Sequence, residues 1–212
     1  MCRRGLDGRP QTGNDAGSIA FRSLDMHQIR PATFDEIPTL QALIARSIRR
    51  LGANDYTSAQ IEGALKGAFG VDTQLIRDRT YFVVEIDGEI VGCGGWSYRQ
   101  TLFGGDARVE RDPAVLDPTK DAAKIRAFFI DPEHSRKGLG AALLEHCEAA
   151  ARERGFTHCE LMGTLPGVRL YAARGYVALP SIRYPVAPDI TIEFVPMRKA
   201  IVSEQDVTRE DR

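Results

Sequence analysis

The sequence lacks the features that mark several classes of protein. Its 212 residues carry a formal net charge of -1, so the basic excess typical of nucleic-acid-binding proteins is absent. No apolar run approaches the roughly 18 residues that a membrane-spanning helix needs, and residues 1–26 contain no apolar signal-peptide core. We therefore expect a cytoplasmic protein whose partners include neither a nucleic acid nor a membrane.

Cysteine and histidine are also scarce. The cysteines at positions 2, 93, 147 and 159 form no C-x-x-C pair, and the last three fall in strand-like or helical apolar segments. This pattern favours buried, reduced thiols over disulfides or a metal site. His146 and His158 have no ligand partners at useful spacing, so we expect no bound metal.

The overall composition is that of an ordinary globular domain. The chain is 43% hydrophobic and 27% charged, and its length suits one domain with a full core. We predict a single α/β domain over residues 27–200. Residues 1–26, rich in Gly, Arg, Asp and Ser and without periodicity, predict a disordered leader, and residues 201–212 predict a charged tail.

The first half of the domain predicts a short strand, two helices and a hairpin. The strand covers residues 27–31, and apolar residues at helical spacing then predict a helix that ends near Leu51. A weaker helix follows at residues 58–68. Asp87-Gly88 between two β-rich runs is typical of a two-residue hairpin turn. Residues 99–124 form a long polar connection, and loops of this length are usually functional or disordered.

The second half predicts a strand, a glycine turn and an amphipathic helix. The apolar run at residues 127–130 predicts the strand, which Asp131-Pro132 ends. A further strand is predicted at residues 158–162, and a short helix at residues 167–174 ends at a glycine. Residues 176–186 and 190–198 then predict a terminal hairpin.

The turn Arg-Lys-Gly-Leu-Gly at residues 136–140 is suited to binding a phosphate group. The first N–H groups of a helix have no intrahelical partner, and the helix dipole makes that end positive. Gly138 and Gly140 remove side chains from the approach, and Arg136 and Lys137 add charge. A plain loop with a glycine-eased helix start is the alternative. The dinucleotide-binding and P-loop patterns fit less well, because their third small residue and Lys-Ser/Thr pair are absent.

Two motifs in this half resemble those of the GCN5-related N-acetyltransferases. Residues 135–140, Ser-Arg-Lys-Gly-Leu-Gly, are similar to the family's Gln/Arg-x-x-Gly-x-Gly/Ala, with Ser135 departing at the first position. Residues 170–176, Leu-Tyr-Ala-Ala-Arg-Gly-Tyr, resemble its Leu-Tyr-x-x-x-Gly-Phe. Upstream, Thr164 and Gly167 stand where Asn and Ala are common. The resemblance covers roughly residues 27–200.

The resemblance implies a mixed α/β (α+β) acyltransferase fold that binds acetyl-CoA, with a central mixed β-sheet flanked by helices. Backbone groups of the strand would bond the pantetheine, and N–H groups of the turn would hold the pyrophosphate. Arg136 would add the charge that Ser135 cannot supply. The implied cofactor-binding residues are Phe128, Phe129, Ile130, Arg136, Lys137, Gly138, Leu139, Gly140 and Ala141.

The implied reaction is direct transfer of the acetyl group to a primary amine. Tyr171 matches the family's general acid, and its reference pKa of about 10 exceeds the value of about 8.5 for a thiol, so it stays protonated at neutral pH. The alternative is a core tyrosine that packs the short helix. Glu160 is a candidate base, acting directly or through a water, and its alternative is a solvated strand carboxylate.

Other residues carry weaker signals. His134 could contact phosphate, although a surface-loop histidine is the favoured interpretation. Trp96 could wall the acceptor site, although core packing is favoured. Cys159 as an acyl-carrying nucleophile has no evident base beside it.

Three functions fit the sequence. The first, which we predict, is acetylation of an unidentified small-molecule amine. The second is acetylation of a peptide or protein at an N-terminal or lysine amine. The third is a non-catalytic module that binds acyl-CoA. Members of the family are often homodimers, and no feature of the sequence fixes the oligomeric state.

Overall fold

The computed structural model describes residues 27–108 and 111–201 of the chain. The predicted leader at residues 1–26 and residues 202–212 of the predicted tail lie outside them. The helices are α1 (Ile37–Leu51), α2 (Ser58–Ala64), α3 (Thr73–Arg77), α4 (Leu139–Glu153) and α5 (Val168–Ala173). The strands are β1 (Gln28–Pro31), β2 (Tyr81–Ile86), β3 (Glu89–Ser97), β4 (Ala123–Ile130), β5 (His158–Thr164), β6 (Val177–Ala178), β7 (Ile182–Ala187) and β8 (Ile190–Ala200).

The strands form one mixed sheet in the order β1-β2-β3-β4-β5-β8-β6, and β7 also pairs with β8. The β4–β5 pair is parallel, because α4 carries the chain across one face of the sheet between them, and the other pairs are antiparallel. The predicted fold class, a mixed sheet flanked by helices, is confirmed. Within the described ranges, no helix has the length and apolarity to cross a membrane.

Two hydrophobic cores lie on opposite faces of the sheet. Alternate residues of β2 divide between them, with Phe82 and Val84 facing α4 and with Tyr81 and Val83 facing α1 to α3. Both faces of the central strands are therefore covered, which explains why β2 and β3 consist mostly of buried residues.

The structure differs from the sequence prediction around two charged strand residues. β4 begins at Ala123, four residues before the apolar run, and includes Lys124 and Arg126. Both are buried in spite of their charge, with exposed fractions of 7% and 2%. Hydropathy places such residues in a loop, whereas in the fold each has an ionic partner. The short helix α3 was not predicted, and α2 ends at Ala64 rather than at residue 68.

Arg126 ties the long connection to the sheet. It donates to Asp72 Oδ2 at 2.8 Å and to the carbonyl oxygens of Thr101 and Gly104 at 2.6 and 2.8 Å. Asp72 also accepts from Arg111, on the far side of the same connection. Because the Arg126 and Asp72 side chains are 1% and 2% exposed, this network is desolvated and both charges depend on each other. The predicted loop is thus anchored near its start, at Thr101 and Gly104, and at its middle, at Arg111.

We expect Asp72→Asn to lower the free energy of unfolding by about 3–5 kcal/mol, because it leaves Arg126 buried without its counter-charge. The asparagine keeps an oxygen that can cap α3, as Asp72 does through Gln74 N–H. Urea denaturation measures the change. Glu62→Gln, in the exposed pair with Arg49, is the control and should change stability little. Equal losses in the two variants would contradict the role of the buried pair.

Candidate active site

The parallel strands β4 and β5 part in the middle of the sheet. Their pairing runs from Ala123 opposite Cys159 only as far as Ile125 opposite Leu161. Beyond this point the β5-facing edge of β4 has no strand partner in the described residues. A backbone edge of this kind can bond an extended ligand as an added strand.

A bulge in β4 accompanies the parting. Ala127 has a φ of 53°, and the register against β3 shifts between Cys93 and Gly95. The Tyr81 hydroxyl of β2, two strands away in the sheet, donates to the Ala127 carbonyl at 3.3 Å and holds the bulge. Gly94 of β3 lies against the bulge, where an added Cβ would come within 2.6 Å of the Phe128 ring. The bulge therefore depends on a glycine at that position.

The glycine turn follows the end of β4. Asp131 accepts from the Glu133 N–H at 3.0 Å and from Arg46 of α1 at 2.8 Å. Partial burial favours the neutral form of Asp131, but these two hydrogen bonds outweigh it and lower the pKa. Ser135, at the position where the resemblance implies Gln or Arg, donates to the Pro132 carbonyl at 2.8 Å. It therefore stabilises the turn.

The turn presents a row of unused backbone donors. Gly138 caps α4 with a φ of 85° in open space, which suits a residue without a side chain. Arg136 also has a positive φ, 60°. In the described part of the chain, no hydrogen bond uses the N–H groups of residues 136–140, whereas the Ala141 N–H donates to the Gly138 carbonyl at 3.0 Å. Consecutive free N–H groups at a helix start form an anion-binding concavity.

A cavity of about 440 Å³ joins this turn to the parted strands. Nine of the predicted residues line it, and His134 and Arg169 are the cationic or titratable side chains in the rest of the lining. The predicted nine are Phe128, Phe129, Ile130, Arg136, Gly138, Leu139, Gly140, Ala141 and Tyr171. His134 also lines it, and its Nδ1 is buried without a hydrogen-bond partner among the described residues.

Two predicted residues lie outside this lining. Lys137 is exposed and is not part of the cavity wall. Glu160 lies opposite Lys124 where β4 and β5 are still paired, and the two side chains form an ion pair. The structure therefore brings Glu160 to Lys124 rather than to Tyr171. Its role as the base stays a prediction.

Tyr171 lies where β4 and β5 part. It is 8% exposed, and its ring packs edge-on against Phe128 and Tyr176 at centroid distances of 6.4 and 5.9 Å. Its hydroxyl makes no hydrogen bond to another described residue. Burial raises the pKa of Tyr171 far above its usual value of 10.0, so the hydroxyl stays protonated. It is available as a donor to a ligand.

A second, smaller cavity of about 60 Å³ lies deeper in the parting. It shares Phe128, Phe129, Thr164 and Tyr171 with the large cavity. The Tyr171 ring therefore forms part of the wall of both cavities. A ligand in each would lie against the same tyrosine.

Sequence reasoning missed several residues of the large cavity. Ser47, Ile48 and Leu51 come from the end of α1, and Arg169 comes from the exposed face of α5. Helical periodicity does not identify them, since it separates buried positions such as Ser47 and Ile48 from exposed ones such as Arg169 but cannot tell which of either kind faces a ligand.

The weaker candidates divide between the site and the core. Trp96 is 3% exposed and packs between Tyr98 and Phe156, so its favoured interpretation as a core residue fits the structure. Burial raises the pKa of Cys159 to about 12, and a protonated thiol is a weak nucleophile.

The comparison with known protein families decides the assignment. A model of the acetyltransferase (GNAT) family matches residues 48–176, which include both parted strands, the turn and Tyr171. The chain belongs to the GNAT family. GNAT proteins are acetyl-CoA-dependent acetyltransferases, and the resemblance drawn from the two motifs is confirmed. No curated protein sequence matches this GNAT chain.

Solved structures share the fold. A GCN5-related N-acetyltransferase from Rhodopseudomonas palustris has a TM-score of 0.60 at 18% identity, over 82% of this chain and 94% of its own. The PaiA N-acetyltransferase from Thermoplasma acidophilum, solved with coenzyme A, has a TM-score of 0.57 at 14% identity, over 82% and 99%. The ribosomal-protein-S18-alanine N-acetyltransferase from Escherichia coli has a TM-score of 0.51 at 18% identity, over 84% of this chain and 97% of its own. At these identities the likeness to this GNAT protein concerns the fold alone.

Proposed function

We propose that this protein transfers the acetyl group of acetyl-CoA directly to the primary amine of a small molecule. The presence of a buried, protonated Tyr171 in the walls of two cavities carries the proposal, since transfer requires a donor and an acceptor close to one proton source. Release of free thiol from acetyl-CoA with a panel of amines and peptides tests it. Turnover only with peptides would favour the peptide acetyltransferase, and CoA binding without any turnover would favour a binding module.

The residues of the large cavity suit acetyl-CoA. The unpaired edge of β4 at Phe128 to Ile130 matches an extended amide-bearing arm, and the free N–H groups of residues 136–140 match a pyrophosphate. Arg136 and Arg169 add positive charge at the rim. When bound, acetyl-CoA supplies the thioester to which an amine adds. The residues of the chain bind and orient it and place a hydroxyl near the leaving sulfur.

Tyr171 is the proposed general acid. As the amine adds and the carbon–sulfur bond breaks, the amine loses a proton and the sulfur must gain one. The Tyr171 hydroxyl has no competing hydrogen bond in the described structure, and its raised pKa keeps the proton in place until a strong base appears beside it. Cytoplasmic location and a homodimeric state stay predictions of the sequence.

We expect Tyr171→Phe to lower kcat by about 10²-fold or more, with the Kd of acetyl-CoA little changed, because the ring remains and only the proton donor is lost. Steady-state kinetics and calorimetric titration measure the two quantities. Tyr176→Phe is the matched control, since that ring touches Tyr171 but does not line either cavity. An unchanged kcat in Tyr171→Phe would exclude the acid role.

We expect Gly138→Ala to weaken CoA binding at least several-fold, because the methyl group strains the turn that aligns the N–H donors. Gly88→Ala is the control. Gly88 also has a positive φ, 81°, in open space, but lies in the β2–β3 turn. Both variants should lose about 1–2 kcal/mol of stability through backbone strain. The CoA-induced rise in melting temperature measures binding, and an equal rise in the two variants would contradict the phosphate role.

The proposed role of Glu160 as base, directly or through a water, can be separated from its ion pair. Glu160→Gln and Lys124→Gln break the same pair from opposite sides. If Glu160 takes the amine proton, we expect kcat/KM to fall by about 10²–10⁴-fold in Glu160→Gln alone. Similar, moderate decreases of kcat/KM in both variants would show that the ion pair is structural. Thermal melts of both variants control for unfolding.

A further inference from the structure

Five phenylalanines line the smaller cavity, and three of them, Phe69, Phe103 and Phe194, do not line the large one. Phe69 packs edge-on against Phe129 and Phe194, at centroid distances of 6.1 and 5.9 Å. Phe103 closes the cluster with its ring 5.5 Å from that of Phe194. The aromatic wall is continuous with Met162 and Leu161 of β5. The side chains that line this space are therefore mainly apolar.

Phe103 is held in a fixed position although it belongs to the long connection. Arg126 bonds the carbonyl oxygens on both sides of it, at Thr101 and Gly104. Arg108 donates to the Phe103 carbonyl at 2.8 Å, and its guanidinium lies 4.0 Å from the ring centroid. The buried ion pair of Arg126 with Asp72 therefore fixes the wall of this cavity as well as the loop.

The cavity offers no compensation for a buried charge. None of the described residues that line it is charged, and the charges beside it are engaged elsewhere. Arg108 stacks on the Phe103 ring and donates to the Phe103 carbonyl, while Lys124 with Glu160 and Arg126 with Asp72 form ion pairs. A carboxylate or second ammonium group brought into this space would lose its hydration without gaining a partner. The volume of about 60 Å³ holds roughly four groups of the size of water.

We infer that the acceptor, on the proposed acetyl-transfer activity, is a primary amine attached to a small uncharged apolar body of about four carbon atoms. Amino acids and diamines of the same size are rejected because their extra charge has no partner in the phenylalanine cluster. The same surroundings lower the pKa of the entering ammonium group and so favour the neutral amine that attacks the thioester.

Matched pairs of acceptors test the inference on the intact protein. Isobutylamine differs from valine by one carboxylate, and butylamine differs from putrescine by one ammonium group. We expect kcat/KM for the uncharged member of each pair to be higher by about 10²-fold or more. Equal or better turnover of valine, putrescine or a lysine peptide overturns the inference but leaves acetyl transfer standing. No turnover of either simple amine also overturns it, and the CoA-induced thermal shift then shows whether the cofactor site stands.

A charge introduced into the wall provides a second test. Met162→Glu places a carboxylate at the cavity, away from Arg108, and we expect it to raise the putrescine-to-butylamine ratio of kcat/KM by about tenfold or more. Phe34→Glu is the control, because Phe34 is 46% exposed and does not line the cavity. An unchanged ratio in a Met162→Glu protein that still acetylates butylamine overturns the assignment of the pocket. If that variant does not fold, the acceptor pairs on the native protein decide.

Discussion

The site depends on the loss of pairing between two parallel strands inside an otherwise continuous sheet. β4 and β5 are hydrogen-bonded only as far as Ile125 and Leu161. Backbone groups left unpaired in an interior are costly, so the parting persists because the bulge at Ala127, the Tyr81 hydroxyl and the Arg126 network fix β4 from its other side. The unpaired edge is then a binding surface rather than a defect.

The parting also divides the chemistry of the molecule into two environments. On one side lie free N–H groups, Arg136 and Arg169, which suit an anionic ligand. On the other side lie phenylalanine rings with no charged side chain among the described lining residues. Tyr171 belongs to both linings. A reaction that joins a charged carrier to an apolar amine is therefore confined to the boundary where the two environments meet.

The sequence predicted what local pattern encodes, and it failed where partners are distant in the chain. The Asp87-Gly88 hairpin, the glycine turn and Tyr171 each have a signature within a few residues, and each lies where the motifs implied. The start of β4 was missed because charged residues such as Lys124 and Arg126 are typical of loops. Their burial depends on ion pairs with Glu160 and Asp72, which are distant in the sequence. The position of Phe103 in the cavity wall could not be predicted for the same reason. Phe103 belongs to a polar connection that is held against the cavity by the contacts of Arg126, which is distant in the sequence.

Burial of Tyr171 looks unfavourable for an acid, since a higher pKa makes its proton harder to give. The environment acts on the acceptor of that proton as well. Desolvation raises the pKa of the buried Cys93 thiol in this protein to about 12, and a thiolate released beside Phe128 and Tyr171 would be disfavoured in the same way. The pKa values of the phenol and of the leaving thiol are therefore raised together. The apolar site favours the outcome in which the sulfur leaves as a neutral thiol. Burial thus keeps the proton on Tyr171 before transfer and makes the leaving sulfur basic enough to take it.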